Sequence, residues 1–296
     1  MPTKPQDATY ADTELMQSAW RLLLALAAGA PSADVPAELA PWLVRCGGGY
    51  AVSPAAPAAA RPLLDLYSPL LAPRPLVIGH LGQSLDGHIA TATGDSYYVT
   101  GPENVRHLHR LRALCDAVVV GAGTVARDDP QLTVRHVEGR NPVRVVLDPR
   151  GELDGRQRVF TDGQAQTYVI HAAGLGAKAQ AAAEVIVVPA DNGRLRLDAL
   201  LAELAARGLR AVFVEGGGVT VSRFLEAGLL DRLHVAIAAL VTGRGRPGLT
   251  LQARDKIADC LRPQHRVFAM GGDVLFDCDL RAPPPAVPGE SLARVF

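Results

Sequence analysis

From Leu76 onward the chain is punctuated by short apolar runs, and these runs restrict the fold more than anything else in it. AVVVG at 117–121, VRVVLD at 143–148, TYVIH at 167–171, VIVV at 185–188 and RAVFVE at 210–215 are nearly continuous in β-branched residues. Strands of that kind are covered on both faces, because an unbroken apolar run leaves no side for water. Segments 102–115, 176–183, 198–207 and 219–227 lie before, between and after them and read as helices. The alternation predicts an α/β fold with a mostly parallel central sheet between helical layers, its first strand at 76–81. Near the end the alternation stops. Segments 233–241, 266–270 and 274–278 read as strands with a Gly271-Gly272 turn, which predicts an antiparallel C-terminal edge.

Residues 1–74 have a different texture. Thr13 is placed to cap a helix ending near Gly29. WLVRCGGGYAV at 42–52 reads as a hairpin around three glycines. An Ala/Pro-rich link follows, and Pro69, Pro73 and Pro75 lead into the remainder. This predicts a small N-terminal module (1–74), a main domain (75–280) and an extended proline-rich tail (281–296). Lys plus Arg equals Asp plus Glu at 30 each, which argues against a nucleic-acid binder, since those are usually basic. Cys46, Cys115, Cys260 and Cys278 are scattered and form no CxxC, so no metal is expected. The apolar run 22–28 is far below the roughly 20 residues of a membrane span. It follows Asp7, Asp12 and Glu14 rather than a basic leader. A cytoplasmic protein without membrane contact is expected.

Residues suited to chemistry gather at strand ends. The first strand runs into His80-Leu81-Gly82-Gln83 and then Ser84-Leu85-Asp86-Gly87. Gly82 permits close approach to the backbone, and Asp86-Gly87 is a turn signal. Alone, His80 reads as an ordinary core or surface histidine. Thr100 is placed to cap the helix that follows. On that helix Val105, Leu108 and Leu111 form an apolar stripe, with Arg112 on or beside it, either snorkelling or meeting an anion. Thr124 follows the glycines of Gly121-Ala122-Gly123 and offers a hydroxyl. The loop Asp128-Asp129-Pro130-Gln131-Leu132-Thr133-Val134-Arg135 ends in an arginine that is a plausible phosphate clamp. Glu215 is delivered by a buried strand, and Gly216-Gly217-Gly218 then open a helix whose free N–H groups suit an anion.

SLDG at 84–87, the serine-plus-aromatic segment around Ser96, the helix with Arg112-Ala113, TVARDDPQLTVR at 124–135 and EGG at 215–217 occur in order. Together they resemble the reductase domain of the bacterial riboflavin deaminase/reductase family over roughly residues 75–280. The resemblance implies a dihydrofolate-reductase-like, three-layer fold. It implies NADPH-dependent reduction of the ribosyl group of 5-amino-6-(5-phosphoribosylamino)uracil to the ribityl form, in riboflavin biosynthesis. By matching position, Ser96, Arg112, Leu132, Arg135 and Glu215 correspond to substrate contacts. Gly82, Tyr98, Thr124, Asp128 and the turn Gly217, Gly218, Val219, Thr220, Val221, Ser222 and Arg223 correspond to NADPH contacts. His80 and Asp86 are the candidates for a catalytic role. A homodimer is implied as well.

The chain departs from the family pattern at His80, where a lysine is usual, and at Gly82-Gln83, where two small residues are usual. Tyr98 replaces a common tryptophan. Pro149 stands where a hydroxyl residue often meets the cofactor, and the adjacent Arg150 could take its 2′-phosphate. The family's deaminase carries H-x-E and P-C-x-x-C, which residues 1–74 lack, so a separate deaminase is expected. Two other readings stay open: a reductase of the same fold acting on another pterin or modified pyrimidine, and an inactive nucleotide-binding regulatory protein.

Overall fold

The residues described by the computed structural model are 5–31, 34–96, 99–174 and 183–283. They fall in two compact units, Met1–Leu76 and Val77–Phe296. In the first, helix α1 (Pro5–Ala27) is followed by strands β1 (Leu43–Cys46) and β2 (Gly49–Val52) and by helix α2 (Arg61–Tyr67). β1 and β2 pair antiparallel around Gly47-Gly48, both at positive φ, which is the two-residue turn that hairpins favour. Trp20 meets Tyr67 edge to face at 5.8 Å. Two expectations are corrected here. Thr13 lies inside α1 rather than at its cap. The link also gives way to α2, whose start is marked by Pro62 in its first turn.

The second unit is built on one nine-stranded sheet. Its strands are β3 (Leu76–Ser84), β5 (Ala117–Gly121), β6 (Val143–Leu147), β7 (Thr167–Ala172), β8 (Glu184–Val188), β11 (Ala211–Glu215), β12 (Arg232–Ala238), β14 (Gln264–Met270) and β15 (Asp273–Asp279). The shorter strands form two separate antiparallel pairs, β9 (Ala190–Asp191) with β10 (Arg194–Leu195) and β4 (His88–Thr91) with β13 (Gly245–Pro247). The helices are α3 (Pro102–Leu114), α4 (Ala122–Asp128), α5 (Arg158–Thr161), α6 (Leu197–Ala206) and α7 (Gly218–Glu226). The sheet order is β14-β15-β12-β3-β11-β5-β6-β7-β8. Pairing is parallel from β11 through β5, β6 and β7 to β8, and between β12 and β3. β15 runs antiparallel to both β12 and β14. The α/β fold with a mostly parallel sheet and antiparallel C-terminal strands is therefore observed.

One face of this sheet is covered by α6 and α7. Leu197, Leu200, Leu204, Val221 and Phe224 pack there on Leu81, Val119, Val145, Ile170, Val212 and Leu233. The other face carries α3, and it is unusually polar. Of the expected apolar stripe of α3, only Leu111 is buried. Val105 is exposed and Leu108 half-buried, whereas Asn104, His107, Leu111 and Arg112 are buried. They are buried because they find partners: His80 for Asn104, His234 for His107 and Glu215 for Arg112. The expected cap of this helix also differs. Gly101 is the N-cap residue and Thr100 accepts a hydrogen bond from the Asn104 side chain. The segment expected as a helix at 176–183 and the tail beyond 283 lie almost wholly outside the described residues.

Candidate active site

β5 and β11 are parallel neighbours in register, so Gly121 and Glu215 end at the same edge of the sheet. A helix follows each strand, and the two strand-to-helix turns interlock. A Cβ on Gly121 would meet Thr220 Oγ1 of α7 at 2.8 Å. A Cβ on Gly217 would meet Thr124 Oγ1 of α4 at 3.0 Å. Each helix thus fills the space left by the other's glycine. Gly216 and Gly217 have φ of 75° and 66°, a backbone region open to glycine at no steric cost. Gly218, the first residue of α7, packs on the carbonyl of Gly248, where a Cβ would stand only 2.0 Å away. The residues after Gly121 form helix α4, and Asp128 is its exposed last residue.

Arg112 and Glu215 form a buried, two-pronged ion pair. Arg112 Nε donates to Glu215 Oε2 at 2.7 Å, Nη2 donates to Oε1, and Nη1 donates to the Thr133 carbonyl at 2.9 Å. This corrects the expectation that Arg112 offers its charge to a phosphate, because Glu215 already neutralises it. Arg135 is placed otherwise. Its Nη1 donates to Thr133 Oγ1 at 2.5 Å and its backbone N–H to His109 Nδ1 at 2.9 Å. No carboxylate pairs with it among the described residues. Burial first, then Arg112 and Arg158, push its pKa down, against a smaller upward pull from Glu215 and Asp162. Burial, with Arg112, His136 and Arg135 close by, likewise lowers His109 to about 3. The loop between these arginines is held from several sides. Arg144, wholly buried, donates to the Gln131 and Ala165 carbonyls and pairs with Asp162 at 2.7 Å. Arg158 grips Asp129, and Leu132 is fixed at φ 57° with its side chain buried.

His80 is 3% exposed. Asn104 spends its amide N–H on Thr100 at 2.9 Å, so its Oδ1 accepts from His80 Nε2 at 2.9 Å. Burial above all, then His234, lowers His80 to about 3, so its ring is neutral at pH 7. Gly82 faces the same way. A Cβ there would meet Thr100 and Asn104 at 3.0–3.3 Å, so its bareness admits α3. Gln83 points to the opposite face, against Gly248, and is no neighbour of His80. Asp86 is a loop anchor. Its carboxylate accepts from Ser84 Oγ at 2.6 Å, Thr242 N at 3.1 Å, Thr242 Oγ1 at 3.0 Å and Gly243 N at 2.8 Å. Those bonds, Ser84's first, hold it well below the usual carboxylate range. A carboxylate so occupied is a poor proton donor, which corrects its placing as catalytic.

Among the other expected residues, Ser96 is exposed on the 92–96 loop and Val219 is 69% exposed at the start of α7. Val221 lies in the apolar core, Ser222 Oγ accepts from Thr250 N at 2.8 Å, and Arg223 donates to the Leu195 carbonyl at 3.2 Å. Those three side chains are engaged away from the glycine turn, a correction to the expected run of cofactor contacts. Arg150 is exposed and pairs with Glu152 at 3.4 Å. Tyr98 lies outside the described residues. Sequence reasoning missed Asn104, Arg144 and the strap β13, which pairs with β4. The glycines and arginines of TGRGRPG at 242–248 were the available signal for the strap.

The site thus joins a glycine cradle to an arginine-rich loop. A family profile described as the RibD C-terminal domain matches residues 75–268. The chain belongs to this family. It is 38% identical over 213 residues to the 2,5-diamino-6-ribosylamino-4(3H)-pyrimidinone 5′-phosphate reductase of Methanothermobacter thermautotrophicus, covering 69% of this chain and 97% of that one. It is 35% identical to the riboflavin biosynthesis protein RibD of Bacillus amyloliquefaciens, over 57% of this chain and 47% of that protein. The chain therefore spans about half of that relative and nearly all of the archaeal reductase. Among solved structures, the deaminase/5-amino-6-(5-phosphoribosylamino)uracil reductase of Thermotoga maritima aligns with TM-score 0.60 and 29% identity, over 75% of this chain and 60% of that one. The riboflavin biosynthesis reductase Rib7 of Saccharomyces shares the fold at TM-score 0.57 and 22% identity. By its family, this RibD-type chain is a reductase.

Proposed function

We propose that the chain carries out the NADPH-dependent reduction of the ribosyl group of 5-amino-6-(5-phosphoribosylamino)uracil to the ribityl form, a step of riboflavin biosynthesis. The observation that carries this is Arg135, a guanidinium without a carboxylate partner at the end of the Asp129–Arg135 loop, beside the Arg112–Glu215 pair. Such a cation suits the substrate's 5′-phosphate. Both Glu215 oxygens accept from Arg112, and each keeps a further lone pair for the sugar or pyrimidine. The cradle fits a dinucleotide: Gly217 leaves bare backbone at the N-cap of α7, and Thr124 adds a hydroxyl. A bound reduced nicotinamide would supply the hydride taken up at the first carbon of the open imine form of the ribose. His80, neutral and held by Asn104, orients by hydrogen bonding rather than by charge.

A second substrate is favoured by the archaeal relative, which is a 2,5-diamino-6-ribosylamino-4(3H)-pyrimidinone 5′-phosphate reductase. Both compounds should be incubated with NADPH and the purified chain while the near-ultraviolet absorbance of reduced nicotinamide is followed. Loss of absorbance with one compound names the substrate. No loss with either would exclude both assignments.

A further inference from the structure

We propose that Arg246, on the strap β13, is a phosphoryl-binding residue of this reductase. The inference rests on the reading above and adds a contact to it. β13 is pinned in place: Arg246 pairs with Ala90 of β4, and Gly248 N donates to the Gly87 carbonyl at 2.8 Å. One end of the strap lies on the cofactor cradle, where the Pro247 and Gly248 carbonyls pack on Gly218 at the start of α7. Its other end lies on the loop that carries Ser96. The Arg246 guanidinium sits against Gly94, at φ 98°, close enough that a Cβ there would be 2.6 Å from Nη2, 3.0 Å from Cζ and 3.3 Å from Nη1.

Arg246 is half-buried, yet no hydrogen bond or ion pair engages it among the described residues. The buried arginines Arg112, Arg144 and Arg232 are paired with Glu215, Asp162 and Asp277. Asp86, on the neighbouring turn, is occupied by Ser84, Thr242 and Gly243. A half-buried guanidinium without a counter-ion, on a strap that lies between Gly94 and the start of α7, favours an oxyanion. The oxyanion has two possible sources, the dinucleotide pyrophosphate and the sugar 5′-phosphate, because the strap touches both ends of the site.

The test uses the full chain with Arg246→Gln, Arg246→Met and Arg246→Lys. Dissociation constants for NADP and for ribose 5-phosphate are measured by calorimetry, which needs no turnover, and KM values for both substrates come from the reductase assay. A charge-assisted contact predicts a weakening of about tenfold or more for one ligand in the Gln variant, falling on KM more than on kcat. The Lys variant should recover part of the loss. Weakened NADP binding assigns the pyrophosphate, and weakened ribose 5-phosphate binding assigns the sugar phosphate. Both constants staying within about twofold in the Gln and Met variants would overturn the proposal, as would failure of both probes to bind the unsubstituted chain. The Met variant keeps the stem over Gly94 and serves if the Gln variant does not fold. Absence of turnover alongside an intact binding effect would sink the proposed reaction and leave Arg246 standing.

Discussion

Arg112 and Arg135 are both arginines near a phosphate-binding loop, and their partners separate them. Arg112 is compensated by Glu215 and braces the Thr133 carbonyl. Arg135 has only a hydroxyl and carries the spare charge. Replacing Arg135 by Met should therefore raise KM for the phosphorylated substrate on the order of 100-fold, the worth of a charge-assisted bidentate contact. NADPH affinity and the thermal midpoint should change little, since no buried carboxylate is stranded. Parallel titrations of the two ligands and a melting curve would check this. Equal loss of affinity for both ligands would contradict it. At the same scale, Arg135, Thr124 and Glu215 could be singled out from the local runs TVARDDPQLTVR and EGG. The sequence could not tell a spent arginine from a free one, because that depends on Glu215, 103 positions away in the chain.

Two elements decide whether the site keeps its shape. The crossed turns of β5–α4 and β11–α7 leave no room at Gly121 while Thr220 keeps its hydroxyl. Gly121→Ala should destabilise the chain, and Thr220→Ala should relieve part of that cost. Contact pairs of this kind couple by roughly 0.5–3 kcal/mol. Denaturant unfolding of both single variants and the double variant would measure it, and strict additivity would refute the interlock. The second element is β6, through Arg144. Arg144→Met would leave the buried Asp162 unpaired and release the Gln131 carbonyl. Breaking a buried pair in this way costs about 3–5 kcal/mol. The same variant should also weaken substrate binding, because the loop ending in Arg135 loses its anchor. A melt combined with a KM measurement tests both halves. The apolar run of β6 was plain in the sequence. The role of Arg144 within it was not, since an arginine in a buried strand can be read only once its partners are known.

For the second unit as a whole, the most unusual property is a polar row under α3. His80, His234, Asp277 and Arg266 occupy matching positions on β3, β12, β15 and β14. His107 lies above them, with its Nε2 3.0 Å from His234 Nδ1, and His234 Nε2 is 3.1 Å from Asp277 Oδ1. Burial raises the Asp277 carboxyl, but His234, Arg232 and Arg266 outweigh it and hold it low. Burial also lowers His107 well below 6.5 and takes His80 to about 3. The unfolded chain therefore binds more protons than the folded one between about pH 6.5 and pH 3. Stability from these histidines is complete above that window and is lost as pH falls through it. The slope is at most about 1.4 kcal/mol per pH unit for each histidine. Thermal midpoints measured from neutral to pH 4 should fall, and less steeply in His107→Asn; a flat profile would count against the buried neutral histidines.

The sequence by itself determined the β-branched strands, the helices at 102–114, 197–206 and 218–226, the antiparallel end and the family, because strand and helix periodicity and the TVARDDPQLTVR run are local properties of the chain. It also placed glycines where backbones approach closely. Only the tertiary structure decided that Asp86 anchors a loop, that Val221 and Ser222 turn away from the cradle, and that His80 is a buried neutral partner of Asn104. Each of those outcomes depends on residues distant in sequence. Charge, protonation and free hydrogen-bonding capacity are set by what a side chain meets, and the order of residues does not state that.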